Sequence, residues 1–304
     1  MKAVICAAYG PPEVLRVVEV ATPVPRRGQV RIRIRASAVT ASDGIIRALK
    51  GARRSRILIR LVFGYRAPRR IMGMVLAGEI DFVGPGVTAF RAGDPVFGMN
   101  GWAGGACAEY VCWSAKSLIA RRPANLSVEE AAALPYGGLL AMFFLKRAGL
   151  QPGKRILIYG ASGAIGTAAV QLARHAGLRV TGVCSTTNLE LVRTLGAEAA
   201  IDYTREDFTR RSERYDLVFD AVGRRKSASA MANARVVLAP EGKVLSVDDV
   251  LPRPKREDLE RLRQLAEQGA IRPVIDRTYP LADIVDAHRY VDEGHKKGNV
   301  IVRV

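Results

Sequence analysis

The sequence predicts an α/β protein of two domains, one built on a parallel sheet with alternating helices and one rich in short strands. Three observations carry this. From Arg155 onward, apolar runs of strand length alternate with helix-length segments. The first third instead carries short strand-like runs divided by Gly and Pro turns. The 304 residues, 49% hydrophobic and 25% charged, suffice for two cores and give no compositional sign of disorder.

In chain order, Lys2 to Cys6 and Leu15 to Val20 read as strands on either side of the turn Gly10-Pro11-Pro12. Val30 to Ala36 alternates apolar and basic residues strictly, which predicts a strand with one wet face. Further strands are expected at 75–83, 95–98 and 107–112, with turns at Gly84-Pro85-Gly86 and Gly93-Asp94-Pro95. Such a run of short strands suggests a compact barrel-like unit. Ser127 with Glu130 three residues on is a capping box that opens a helix, and a second helix is expected over 137–148.

The centre of the chain is Arg155 to Ala173. A short apolar run, then glycines at 160, 163 and 166, leads into a helix with apolar positions at 165, 169, 172 and 173. A strand, a tight glycine turn and a helix aim free N–H groups and the positive end of the helix dipole at an anion such as a pyrophosphate. A plain strand-to-helix turn uses the same residues, so the glycines alone do not decide. Arg179 to Cys184 supplies a second strand at βαβ spacing. An NAD site would carry an acid at the end of that strand, to accept from the ribose 2′-hydroxyl. Ser185-Thr186-Thr187-Asn188 has none and can donate to a 2′-phosphate, which favours NADPH over NADH.

The net charge of +18 is unusual for this class. It is mostly arginine, with local groups at Arg53-Arg54, Arg66 to Arg70, Arg121-Arg122, Arg224 to Lys226 and Arg253 to Arg256. No lysine-rich tail and no aromatic-interleaved RNA motif accompanies it, so an arginine-rich surface that attracts a polyanionic cofactor is preferred to specific nucleic-acid binding. No uncharged apolar run reaches the length of a membrane span, so no membrane is expected. Cys6, Cys107, Cys112 and Cys184 are scattered and read as free thiols of a reducing, cytoplasmic setting.

Several motifs occur in order: Gly93 to Gly98 (Gly-Asp-Pro-Val-Phe-Gly), Ala133 to Leu139, the glycine turn, Pro273 to Leu281, Ala287 to Val291, and Gly294 to Val300. In that order they resemble the medium-chain dehydrogenase/reductase superfamily, in particular its quinone-oxidoreductase-like branch. The resemblance implies a GroES-like catalytic domain from residues 1–122 plus 278–304 and a Rossmann NADPH-binding domain over 123–277, with the active site in the cleft between them. At the three catalytic-zinc positions of the family's alcohol dehydrogenases, this sequence carries Thr40, Met74 and Tyr136. None binds zinc as a thiolate or imidazole does, and the cysteine-rich structural-zinc loop is absent, so no metal is expected. Without a Lewis acid, the implied chemistry is hydride transfer from NADPH to a quinone or an α,β-unsaturated carbonyl, whose conjugation stabilises the anion formed.

The same resemblance assigns the site. Thr40, Asp43 and Tyr136 would face the nicotinamide; Tyr136 or Thr40 could donate to the substrate oxygen, and Asp43 reads first as a helix cap. Tyr136 reads equally well as a packing residue. Ser162, Gly163, Ala164, Ile165 and Gly166 would hold the pyrophosphate. Ser185, Thr186 and Asn188 would hold the 2′-phosphate, with Arg205 as a further cation, and Tyr203 the adenosine. Val222, Gly223, Ser246 and Val247 would line the cofactor's path, and Gly298-Asn299 would form a returning loop near the nicotinamide.

Three departures from the family pattern stand out. Thr187 replaces a frequent basic residue, and Leu140 a frequent threonine. Only five Rossmann strands can be counted, at 155–159, 179–184, 199–201, 215–221 and 243–247. Asp248 to Arg256, with prolines at 252 and 254, fills the place of a helix and sixth strand. In the family that strand borders the nicotinamide and often pairs across a homodimer, so its loss bears on both. Two functions remain open: an NADPH-dependent, zinc-independent reductase, or a non-catalytic NADPH-binding protein whose basic surface meets RNA or another polyanion.

Overall fold

The structure is a computed structural model that describes residues 1–51, 53–68, 70–101 and 103–304; Arg69 of the second arginine group lies outside them. The chain begins with β1 (Lys2–Cys6), β2 (Leu15–Glu19), β3 (Gln29–Val39), α1 (Ala41–Arg47), α2 (Arg53–Phe63), β4 (Val75–Val83), β5 (Pro95–Met99), β6 (Tyr110–Ser114) and β7 (Leu118–Arg121). The long helix α3 (Val128–Ala148) follows. After it come β8 (Arg155–Tyr159), α4 (Ala164–His175), β9 (Arg179–Cys184), α5 (Leu189–Thr194), β10 (Ala199–Asp202), β11 (Tyr215–Asp220), α6 (Arg224–Met231) and β12 (Leu238–Ser246). The chain closes with α7 (Arg256–Glu267), β13 (Ile275–Pro280), α8 (Ile284–Glu293) and β14 (Asn299–Arg303).

Two compact units result. One comprises Met1–Pro135, Lys255–Glu267 and Ile275–Val304, the other Tyr136–Pro254 and Gln268–Val274. Compared with the expected division, 123–135, 255–267 and 275–277 lie in the first unit. Helix α7 shows why: the Asn125 amide donates to the Ala266 carbonyl at 2.9 Å, and the Arg256 guanidinium lies 5.3 Å from the Phe90 ring centre. These contacts tie α7 to the first unit's strands and turns.

The first unit is organised on β3. It pairs antiparallel with β4 along one edge; on the other it pairs with β6 through Gln29 to Arg33 and with β14 through Ala36 to Val39. The sheet order is β13-β14-β3-β4-β5-β7. The alternation of Val30, Ile32, Ile34 and Ala36 with arginines appears as expected: the four apolar residues are buried, and Arg31 reaches Asp81 at 2.5 Å. The strand expected at 107–112 begins later, at Tyr110, because Ala108 makes only an isolated bridge to Ala3.

The second unit is a five-stranded parallel sheet in the order β10-β9-β8-β11-β12, the first five places of a Rossmann sheet. Ile156, Leu157, Ile158, Val218 and Phe219 are fully buried, as central strands covered on both faces require. Strand β12 starts at Leu238, five residues before the expected boundary, because a bulge separates the Tyr215–Leu238 pair from the Leu217–Lys243 pair. Among the described residues, no strand lies between β12 and α7, and β12 is the sheet's edge.

The Ser127–Glu130 capping box forms as expected: the Ser127 N–H donates to Glu130 at 2.9 Å, and the Glu130 N–H to Ser127 Oγ at 3.2 Å. The two helices expected after it are one, α3, with Pro135 inside. Proline removes one intrahelical hydrogen bond, but burial of Ala131 to Leu134 and of Tyr136 and Leu139 holds the helix continuous through it. Among the described residues, α3 alone is long and apolar enough to cross a membrane, and 56% of that stretch is buried within the protein.

Candidate active site

In the second unit, the three turn glycines are required for three different reasons. Gly160 has φ +78°, and a Cβ there would stand 2.2 Å from Val222 Cγ2. Gly166 lets α4 press onto the turn, since a Cβ would lie 2.1 Å from the Gly160 carbonyl oxygen and 2.7 Å from Ala161 Cα. Gly163 is different: a Cβ would meet only the Gly160 oxygen, at 3.5 Å, an ordinary contact. It is the N-cap of α4, with no side-chain cap and no acid in the first turn. Of the residues expected to offer N–H groups to a pyrophosphate (Ser162, Gly163, Ala164, Ile165 and Gly166), Gly163 donates its N–H to the Gly160 carbonyl at 3.1 Å. Ala164, Ile165 and Gly166 form the first turn of α4, at the positive helix end, where no side chain caps them. Gly137 of α3 abuts the same turn, with room for no Cβ within 2.2 Å of the Ala164 oxygen. The residues present fit a pyrophosphate.

At the end of β9, the proposed 2′-phosphate residues are placed unequally. Asn188 is buried; its amide donates to Ser185 Oγ at 3.0 Å and to Ser162 Oγ at 3.3 Å, and its Oδ1 has no partner. It joins the two loops from within. The Thr186 hydroxyl donates to Asp202 Oδ2 at 2.5 Å, and Arg205 lies 3.7 Å from the same oxygen. Thr204 also donates to Asp202, whose carboxyl is held below the usual range chiefly by the Thr186 hydrogen bond. Asp202 went unnoticed in the sequence because it belongs to β10, where it pairs opposite Cys184. Ser185 and Thr187 are the strand-end hydroxyls left clear of it, 3.5 Å apart.

Tyr203 is half-exposed, its ring 6.3 Å from that of Tyr159, a surface suited to stacking a base. At the end of β11, buried Asp220 accepts from the N–H groups of Val222 and Gly223 and from the hydroxyls of Ser227 and Ser246. Ser246 is thus a strut between β11 and β12, and the Val247 N–H donates to the Asp220 carbonyl. Val222 is 38% exposed over Gly160, and Gly223, at φ +95°, caps α6.

In the first unit, Thr40 is the N-cap of α1 in a complete capping box with Asp43. Its hydroxyl donates to Asp43 Oδ2 at 2.6 Å and lies 4.0 Å from Met74 Sδ. The hydroxyl and the thioether that replace zinc ligands therefore sit side by side. Cys107 is close by, within 3.8 Å of Ser37 Oγ. Burial pushes the Cys107 thiol up to about 12 and the Asp43 carboxyl up to about 6, so burial here disfavours charge on both side chains. A thioether and a hydroxyl at these positions do not supply the thiolate or imidazole that zinc takes. Among the described residues, no group of three His, Cys, Asp or Glu side chains comes together. Gly298, at φ +51°, accepts from Lys296, and Asn299 starts β14 beside Ile275. Tyr136 belongs to the second unit and is 9% exposed on α3.

Asp43 has a measurable counterpart in His288 of α8, pushed down to about 3 by burial and then by the Arg47 charge. An acid whose pKa rises from 3.8 to about 6 contributes stability complete below 3.8 and lost as pH rises through 6. A histidine lowered from 6.5 contributes stability present above 6.5 and lost as pH falls toward 3. The two oppose each other between about pH 4 and 6. Asp43→Asn removes the first, so denaturant midpoints measured across pH should show steeper acid destabilisation than wild type, by about 1 kcal/mol per pH unit. An unchanged acid slope would refute this placement of Asp43.

Comparison with known proteins follows this geometry. A family model for the alcohol dehydrogenase GroES-like domain matches residues 26–123, and one for a zinc-binding dehydrogenase matches 195–256 and 249–302. The chain is 34% identical to a 2-methylene-furan-3-one reductase of Solanum lycopersicum, over 99% of this chain and 79% of that one. It is 32% identical to a chloroplast envelope quinone oxidoreductase homolog of Arabidopsis thaliana, over 94% and 92%. Its fold matches the quinone oxidoreductase from Coxiella burnetii with a TM-score of 0.86 and 28% identity, over 100% and 99% of the two chains. The chain belongs to the medium-chain dehydrogenase/reductase superfamily, in its quinone-oxidoreductase-like branch, and is an oxidoreductase.

Proposed function

We propose that the protein is a zinc-independent reductase that takes hydride from NADPH and delivers it to a quinone or an α,β-unsaturated carbonyl. The observation that carries this is the Thr40–Met74 pair at 4.0 Å, a donor set unable to hold the Lewis acid that an unactivated ketone or alcohol needs. The names of the relatives agree: one is a 2-methylene-furan-3-one reductase and another an NADPH-dependent alkenal/one oxidoreductase. Bound NADPH would supply the hydride. The first turn of α4 would hold its pyrophosphate and Tyr203 its adenine, while Ser185 and Thr187 would donate to the 2′-phosphate. The Thr40 proton is engaged by Asp43, and Tyr136 is the other candidate donor to the substrate oxygen. Tyr136→Phe should lower kcat about tenfold or more with NADPH affinity unchanged. An unchanged kcat would assign Tyr136 to packing.

Cofactor preference has its own test. NADPH should bind at least about tenfold more tightly than NADH, with most of that ratio lost in Ser185→Ala/Thr187→Ala. Equal or tighter NADH binding would contradict the assignment. One observation favours the non-catalytic alternative: among the described residues, the sheet ends at β12 without the strand that borders the nicotinamide in the family. NADPH binding without turnover on any quinone or enone is the outcome that would select it.

A further inference from the structure

Helix α2 lies in the first unit and is eleven residues long. Ile59, Val62 and Phe63 turn a half-buried face to the protein. Ile57, Leu58 and Leu61 are 51%, 57% and 78% exposed, close together on another face at helical spacing. Tyr65, just past the helix, is 71% exposed, with the Arg60 guanidinium 5.4 Å from its ring centre. Arg54, Arg56, Arg60, Arg66 and Arg70 are all exposed, and among the described residues none is in an ion pair. No Asp or Glu occurs in the sequence between Asp43 and Glu79. An exposed apolar stripe bordered by unpaired arginines needs a partner that is anionic and apolar at once.

We infer that α2 and the segment after it form an interfacial anchor for a bilayer rich in anionic phospholipid. Ile57, Leu58 and Leu61 would enter the headgroup–acyl boundary, and the arginines would lie against phosphate groups. Charge selects this occupant. A second copy of the chain would bring the same +18 and repel. A nucleic acid would satisfy the arginines but leave the apolar stripe in water. The helix needs no membrane span to bind this way, so the inference revises the expectation of no membrane contact. It is independent of the hydride chemistry, because the test reads binding alone.

The test is flotation of the purified full chain with vesicles of phosphatidylcholine, alone and mixed with phosphatidylglycerol. The wild type should bind the mixed vesicles at least about tenfold more tightly than the neutral ones, and more weakly as salt rises. Leu58→Ser/Leu61→Ser adds no charge and alters only exposed side chains. It should weaken binding to mixed vesicles about tenfold or more with an unchanged melting temperature. In Leu61→Trp, emission from the new indole should shift to the blue on those vesicles. No binding to the mixed vesicles would overturn the inference, as would binding that survives the double serine variant. A single-stranded RNA complex formed where vesicles fail to bind would assign the patch to nucleic acid and likewise overturn it.

Discussion

Gly166→Ala is expected to lose about 3 kcal/mol of stability together with dinucleotide binding, because its Cβ would stand 2.1 Å from a backbone oxygen that α4 cannot withdraw from. The clash lies between buried Gly166 and the backbone of Gly160 and buried Ala161, so relief requires moving α4 off β8. Gly163→Ala, three residues earlier, meets only an ordinary 3.5 Å contact. It should change stability by less than about 1 kcal/mol while weakening NADPH binding at least about tenfold, since the methyl group would occupy the space over the bare helix end. Denaturant unfolding and fluorescence titration of the two variants separate a glycine needed for packing from one needed for the ligand. Equal stability losses in both would mean that the turn is built differently.

The second large effect is expected at Arg47. Its side chain is fully buried, donates to the Gly10 carbonyl at 2.7 Å and reaches Asp292 at 2.5 Å. Arg47→Met keeps the volume but leaves that carbonyl without its donor and Asp292 with Lys50 alone, at 2.8 Å. A fully buried pair broken this way costs about 3–5 kcal/mol; Asp292 is 25% exposed, so about 3 kcal/mol is expected in denaturant unfolding. Losing the positive charge should also raise the His288 pKa, since Arg47 is one cause of its depression. A loss below about 1 kcal/mol would show that the cluster is held by packing alone.

The second unit was legible in the sequence because its strands are continuous apolar runs and because Gly160 and Gly166 sit where a Cβ has no room. In the first unit, β3 was legible from its apolar–basic alternation, but β7 was not: four residues leave no period to read. Helix α2 was hidden for another reason. Arginines among apolar residues read as a charge run, and only the fold determines which side of the helix meets the protein. A second helix was expected over 137–148, but burial along α3 carries one helix through Pro135. At the site, the Thr40–Asp43 cap was local and therefore readable. The contacts of Asp202 with Thr186 and of Cys107 with Ser37 depend on strand pairing and long loops, which one sequence does not reveal.

The most direct test of the proposed chemistry is the loss of reduced-nicotinamide absorbance with benzoquinone, phenanthrenequinone and a simple enone as acceptors, run beside NADPH binding by fluorescence. Saturable turnover of NADPH on a quinone or the enone is the predicted result, with a much lower kcat in Tyr136→Phe. Tight NADPH binding with no turnover on any of the three acceptors would contradict the account.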